Sequence, residues 1–117
     1  MAFVDFFGNF VRKKDVYLKY STNEQWTGEY WIDGHKIYQV SYNLGTINAF
    51  KKITNIPNFD RVVRFEYSTR ENDKFSGVNG TANIDLFVTT GSDVYINTNG
   101  KTKYDVVLTL WYTKTTG

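Results

Sequence analysis

The sequence predicts an all-β protein, an antiparallel β-sandwich of jelly-roll-like form with about seven or eight strands. Three observations predict it. Apolar and polar residues alternate with period two over most of the chain, and turn signals recur about every 8–12 residues. Fourteen Thr and eleven Val stand against three Ala and five Leu, a composition that favours strands over helices.

The chain has 117 residues, the length of one ordinary domain, and its pattern divides it into two parts. Residues 15–117 form the predicted sandwich head, and residues 1–14 form an N-terminal arm. Four rings in the arm recur at the spacing i, i+3, i+4 and i+7 of one helix face: Phe3, Phe6, Phe7 and Phe10. An exposed stripe of this kind would promote aggregation. We therefore expect the stripe to be buried, either against the parent domain or as an oligomerisation segment against another copy.

Two dipeptides between alternating runs predict hairpins, Asp33-Gly34 and Asn99-Gly100. A two-residue type I′ turn needs φ > 0 at both central residues, and these residue types tolerate it. At the first turn this register places Ile32 opposite His35. After the second turn, the last strand carries Trp111 on a mixed face with polar neighbours, so Trp111 is the least core-like of the three Trp by pattern.

No constellation of residues points to catalysis. His35 is the only histidine, and a nucleophilic triad needs a base that a partner holds. Asp33 lies nearby, but Asp is common in tight turns because its side chain can hydrogen-bond to the backbone of the turn. A chain with no cysteine and one histidine lacks a typical zinc ligand set. Glycosidases use a pair of carboxylates, and the sequence pattern singles out no such pair among its twelve Asp and Glu residues. We expect a non-enzymatic protein without cofactor or metal.

Charge and hydropathy argue against two classes of partner, nucleic acids and membranes. Fourteen basic and twelve acidic residues are interspersed and give a net charge of +2, so we expect no nucleic-acid partner. No segment reaches the ~18 apolar residues of a membrane helix, so we expect no membrane insertion. The function class that remains is recognition at a surface.

Aromatic residues make up 18% of the chain, which supplies both sheet packing and binding surfaces. Flat rings stack on sugars while polar neighbours fix the orientation of the ligand. The candidates for ligand binding are Trp26, Trp111 and Tyr30. For each Trp the alternative is a position in the core or an interface, because large aromatics usually bury most of their area.

Two segments of the chain resemble known motifs. The first begins as YSTNEQ at residues 20–25, continues with Gly28, and ends as WIDGHKIY at residues 31–38. The second is WYTKTT at residues 111–116. Together they resemble the YSTxEQ, IDGKxIY and YTKTT motifs of C-terminal domains in phage and prophage tail-fibre, baseplate and related virion proteins. The chain departs from that pattern at Glu29-Tyr30, which lengthens the spacer, and at His35, where the family often has Lys.

The resemblance implies a β-sandwich head, usually a homotrimer, displayed at a fibre tip or on the virion surface. Such domains often bind carbohydrate of the host cell surface, and no catalytic residue is carried over. The expected function is that of a virion structural protein for host attachment, located on the tail or capsid surface, with a host glycan and other virion proteins as partners. The alternative is a purely structural virion domain, such as a head fibre, decoration or trimer-capping piece, without a ligand of its own. A third reading, a glycan-cleaving enzyme, would need an acid pair that the sequence does not mark.

Overall fold

Two antiparallel sheets form the protein, with an apolar core between them, which confirms the predicted all-β sandwich. A computed structural model describes residues 18–71, 74–76 and 84–116, and no helix occurs among these residues. In chain order the eight strands are β1 (Gln25–Tyr30), β2 (Lys36–Ile47), β3 (Lys51–Asn55), β4 (Phe59–Glu71), β5 (Lys74–Ser76), β6 (Asp85–Val88), β7 (Asp93–Asn97) and β8 (Lys103–Lys114). One sheet has the order β1-β2-β8-β4-β5 and the other has the order β3-β7-β6.

Strand β8 lies at the centre of the larger sheet, between β2 and β4. The side chains that it directs to the core are each at most 1% exposed: Val106, Leu108, Leu110 and Tyr112. Full burial of one such apolar side chain contributes about 1.5–3 kcal/mol relative to leaving it in water. The alternation of apolar residues that predicted this strand therefore also marks the side of the sheet that holds the core.

The smaller sheet closes the core from the other side. Val94 and Ile96 of β7 point inward and are 0% and 1% exposed, and Tyr95 between them points outward. Leu86 and Val88 of β6 pack against the same core. The inner face of β6 and β7 is thus apolar, while the outer face is left to polar and aromatic side chains.

The turn at Asn99-Gly100 has the predicted type, but the hairpin predicted around it is wrong, because β7 and β8 belong to different sheets and the turn carries the chain from one sheet to the other. Both residues have positive φ, 56° and 80°, and the N–H of Lys101 donates to the carbonyl of Thr98 at 3.1 Å. This geometry is that of a two-residue type I′ turn.

The turn at Asp33-Gly34 forms the predicted hairpin but not the predicted turn type. Only Gly34 has positive φ, at 90°. The N–H of Trp31 donates to the carbonyl of His35 at 2.8 Å, so Trp31 and not Ile32 lies opposite His35. The loop therefore has three residues and ends on a left-handed glycine, the next commonest hairpin form. The side chain of Asp33 stabilises it by accepting the N–H of His35 at 3.0 Å.

The arm and its predicted ring stripe, Phe3, Phe6, Phe7 and Phe10, lie outside the described residues. The oligomerisation segment and the boundary between residues 14 and 15 therefore stay predictions.

Substituting Gly34 with Ala should lower the free energy of unfolding by about 1–2 kcal/mol, because an L-residue is strained at positive φ. The added Cβ meets no atom within 4 Å, so the cost arises from the backbone alone. Gly91→Ala is the matched control, since Gly91 has no positive φ and its Cβ would lie 3.9 Å from Thr89 Oγ1, an ordinary contact. We expect it to leave stability unchanged or to raise it by about 0.4–1 kcal/mol. Urea titration measures both, and equal losses in the two variants would contradict the assignment of strain to Gly34.

Candidate functional site

Two of the three residues that the sequence marks for ligand binding lie together on β1. Trp26 and Tyr30 are 42% and 58% exposed, and their ring centroids are 5.7 Å apart at an interplanar angle of 67°. Residues four apart in a regular strand are separated by about 13 Å, at roughly 3.3 Å per residue. A local change in the strand must bring these rings into contact.

The change is an irregular pairing between β1 and β2. Trp26 pairs with Tyr38, whereas Tyr30 pairs with Lys36, so three residues of β1 stand opposite one residue of β2. Gly28 is the middle one of the three, with φ at 86° in the region that glycine reaches without steric cost. Extra residues of this kind bend a strand and re-aim its side chains. The irregularity therefore shortens β1 and brings the two exposed rings together.

Side-chain hydrogen bonds hold this shape. The hydroxyl of Thr27 donates to the carbonyl of Ile37 at 2.8 Å and accepts the N–H of Glu29 at 3.1 Å. The indole N–H of Trp26 donates to the carbonyl of Glu29 at 3.2 Å. The indole orientation is therefore fixed before any ligand arrives, which lowers the ordering cost of binding.

Two cations lie against the rings of this region. Lys36 Nζ is 4.9 Å from the ring centroid of Trp26, and Lys114 Nζ is 5.1 Å from that of Tyr38. Such contacts contribute about 0.5–1 kcal/mol at exposed positions. We name the group of Trp26, Tyr30, Lys36 and Tyr38 the aromatic shelf.

A buried tyrosine ties the shelf to the central strand. The hydroxyl of Tyr112 donates to Glu24 Oε1, and Lys114 Nζ lies 2.7 Å from Glu24 Oε2. Burial raises the pKa of Tyr112 far above its ordinary value, and its hydrogen bond to Glu24 raises that pKa further. The hydroxyl therefore remains a protonated donor. Glu24 lies in the YSTNEQ segment and its two partners lie in WYTKTT, so the two motifs meet in space.

Trp111 is 5% exposed, so the prediction that it is the least core-like Trp is wrong. Pattern alone assigned it to a mixed outer face, but β8 is the central strand and that face is covered. The guanidinium of Arg64 lies 4.1 Å from the Trp111 ring centroid, and the ring of Tyr20 meets it edge-on at 6.3 Å. Its face is thus occupied by protein groups, and we remove it from the ligand-binding candidates.

The histidine of the sequence joins a cluster that sequence reasoning missed. Potential ligand atoms of Asp33, His35 and Asp60 all lie within 4.8 Å of one another. The carboxylates already have partners, since Asp33 accepts the N–H of His35 and Asp60 accepts the hydroxyl of Thr113 at 2.9 Å. The hydrogen bond from the backbone of His35 lowers the pKa of Asp33 below its ordinary value. The cluster therefore stabilises the hairpin loop and the start of β4, and the expectation of no metal site stays a prediction.

Comparison of the chain with known protein families, with curated proteins and with solved structures finds no match. Within the described residues, no helix has the length and apolar character needed to cross a membrane.

Replacing Trp111 with Ala should cost about 3–5 kcal/mol of stability, because it empties a buried aromatic site. Trp26→Ala should cost less, about 1–2.5 kcal/mol, since it removes an exposed ring pair, a cation–π contact and the hydrogen bond to the Glu29 carbonyl. Equilibrium urea unfolding, followed by far-ultraviolet circular dichroism, measures the difference. A small loss in the Trp111 variant would restore Trp111 as a surface candidate.

Proposed function

We propose that this protein is a phage virion structural protein whose sandwich head attaches to carbohydrate of the host cell surface through the aromatic shelf. The observation that carries the proposal is the pairing of exposed Trp26 and Tyr30 beside Lys36, between the two stretches, residues 20–25 and 31–38, that resemble the virion motifs. The contact between the two motifs, through Glu24, supports their reading as one structural unit. On this proposal the protein acts by binding and not by catalysis.

The chemistry of the shelf fits a sugar. The exposed indole of Trp26 offers an apolar face to the C–H groups of a pyranose ring. Beside it, the phenol of Tyr30 and the ammonium of Lys36 offer hydrogen-bonding groups to sugar hydroxyls. All of these groups lie on the two strands of one hairpin, so their relative positions are set by the sheet.

The shelf is a small open surface, so its affinity for one sugar segment should be weak, of the order of Kd 1 mM or about −4 kcal/mol. Display of several copies compensates for weak sites, since linking them raises avidity by about 10²–10⁴. The homotrimer that the resemblance implies would provide such display on a virion.

A second candidate function is a structural virion domain with no ligand. The stripe Phe3, Phe6, Phe7 and Phe10 favours it, because a self-associating arm serves assembly without any receptor. This candidate function does not require Trp26 to bind a ligand.

Trp26→Ala should reduce retention of the protein on host cell walls, or on matching spots of a bacterial glycan array, by about tenfold or more, the equivalent of about 1.4 kcal/mol. The reason is the loss of the stacking face while the fold persists. Tyr104→Ala is the matched control, since Tyr104 is 42% exposed like Trp26 but lies outside the shelf. Unchanged retention of the Trp26 variant would reject the shelf, and no retention of the wild type on any wall or glycan would favour the structural candidate.

The full chain should run as a trimer in size-exclusion chromatography with light scattering, with three times the mass of one chain. Joint substitution of Phe6 and Phe7 with Ser should shift it toward the monomer, because the apolar stripe loses half of its rings. A wild-type monomer at high concentration would contradict the trimer. An unchanged trimeric mass in the variant, with lowered stability, would indicate that the arm packs on its own domain.

A further inference from the structure

A second group of exposed rings lies on the smaller sheet, at residues that no sequence motif singles out. Phe50 and Phe87 are 57% and 45% exposed. The ring of Phe50 stacks on that of Tyr95, with centroids 4.9 Å apart and an interplanar angle of 10°, and lies 5.9 Å from the ring of Phe87. Residues from three places in the sequence thus form one cluster, which we name the ring cluster.

Strand register sets the cluster in the middle of the outer face of the smaller sheet. Lys52 of β3 pairs with Tyr95 of β7, and Tyr95 pairs in turn with Phe87 of β6. The three side chains form one row across the sheet, because paired residues project to the same face. Phe50 lies just before β3 and adds its ring to this row.

Polar groups frame the row on one side. Asp93, two residues before Tyr95, accepts hydrogen bonds from Asn55 Nδ2 at 2.9 Å and lies 3.1 Å from Lys52 Nζ. Asn55 Nδ2 also donates to the carbonyl of Gly91 at 2.8 Å. These mutual bonds hold a carboxylate, an amide and an ammonium in place beside the rings.

A second polar group frames the row on its other side. Asn97 of β7, two residues after Tyr95, pairs with Asp85 of β6. Asp85 Oδ2 accepts a hydrogen bond from Asn99 Nδ2 at 3.2 Å. The rings therefore lie between two rows of planar carboxylate and amide groups.

The size of the cluster favours a small ligand over a protein partner. A whole aromatic side chain buries about 150–250 Å², so the exposed parts of the two Phe rings amount to roughly 200 Å². Each partner of a stable protein interface contributes about 800 Å², of which roughly 450 Å² is apolar, so the two rings supply less than half of the apolar area needed. The core of such an interface is also depleted of charged residues, whereas three charged side chains surround this cluster. A flat apolar centre with hydrogen-bonding groups along both sides instead fits a short glycan, whose ring faces are apolar and whose edges carry hydroxyls.

We propose that the ring cluster is a second carbohydrate-binding platform, which stacks sugar rings on Phe50 and Phe87. Asp93 and Asp85 accept hydrogen bonds from the sugar hydroxyls, and the side-chain amide N–H of Asn97, whose Oδ1 already accepts the N–H of Asn99 at 3.0 Å, donates to them. The proposal rests on the proposed function, because it extends glycan attachment to a second site. The two sites lie on different sheets, so one head can hold two segments of a surface polysaccharide, and a trimer can hold six.

The test compares five full-length variants on a bacterial glycan array: Phe87→Ala, Phe87→Tyr, Trp26→Ala, the double variant of Phe87→Ala with Trp26→Ala, and the Tyr104→Ala control. We expect Phe87→Ala to lower binding about tenfold on the glycans that the ring cluster holds, and the double variant to lose more than either single variant. Phe87→Tyr keeps a ring face and should retain binding, which separates loss of stacking from a general effect on the fold. Thermal melts and light scattering of each variant accompany the array.

The outcomes separate the two proposals. Loss in Trp26→Ala with no change in Phe87→Ala on any glycan would overturn the second platform and leave the shelf standing. Loss in Phe87→Ala alone would support the platform and reject the shelf. A change of oligomeric mass in Phe87→Ala without loss of glycan binding would identify the face as a protein interface and overturn the platform. Absence of any glycan binding by the wild type would overturn both.

Discussion

The burial of β8 on both of its faces over residues 108–113 is the constraint on which the rest of the structure depends. On the core side it directs Leu108 and Leu110 against the smaller sheet. On the other side Thr109, Trp111 and Thr113 are at most 5% exposed, and the hydroxyl of Thr109 lies 2.8 Å from that of Ser41 on β2. A strand without a solvent face fixes the register of its neighbours, because a slip of one residue would exchange apolar and polar side chains in both layers. Both β2 and β4 are aligned on it, and β2 in turn positions β1 with the shelf.

Much of the fold could be predicted from the sequence because period-two patterns and turn dipeptides act locally. Asn99-Gly100 gave the correct turn type, since that geometry depends on two adjacent residues, but not the predicted hairpin, because strand pairing depends on the sheet order, which places β7 and β8 in different sheets. Asp33-Gly34 gave the hairpin but not its loop length, because the side chain of Asp33 and the left-handed glycine also suit a three-residue loop. The exposure of Trp111 was predicted wrongly for another reason. A face with mixed polar and apolar residues is typical of an edge strand that faces solvent. The sequence pattern gives no strand order, so it could not show that β8 is central and covered on that face.

The candidate sites were less accessible to sequence reasoning, because each depends on contacts between distant residues. Trp26 and Tyr30 could be named as aromatic residues, but their contact requires the irregular pairing around Gly28. Phe50 and Phe87 could not be grouped at all, since only the order of the smaller sheet brings them to Tyr95. Glu24 is similar, because its two partners lie near the other end of the chain. In each case local chemistry suggested the residue type, and the sheet order decided whether the residues meet.

The bonds of Glu24 also have a mechanical meaning. Tension passed along the chain from residue 18 reaches Glu24 before it reaches the first residue of β1. The carboxylate transfers that load to Tyr112 and Lys114, which belong to the best-anchored strand of the protein. The edge strand that carries Trp26 is therefore placed outside the load path. A pull on residue 18 would therefore load the central strand while the exposed rings of β1 keep their arrangement.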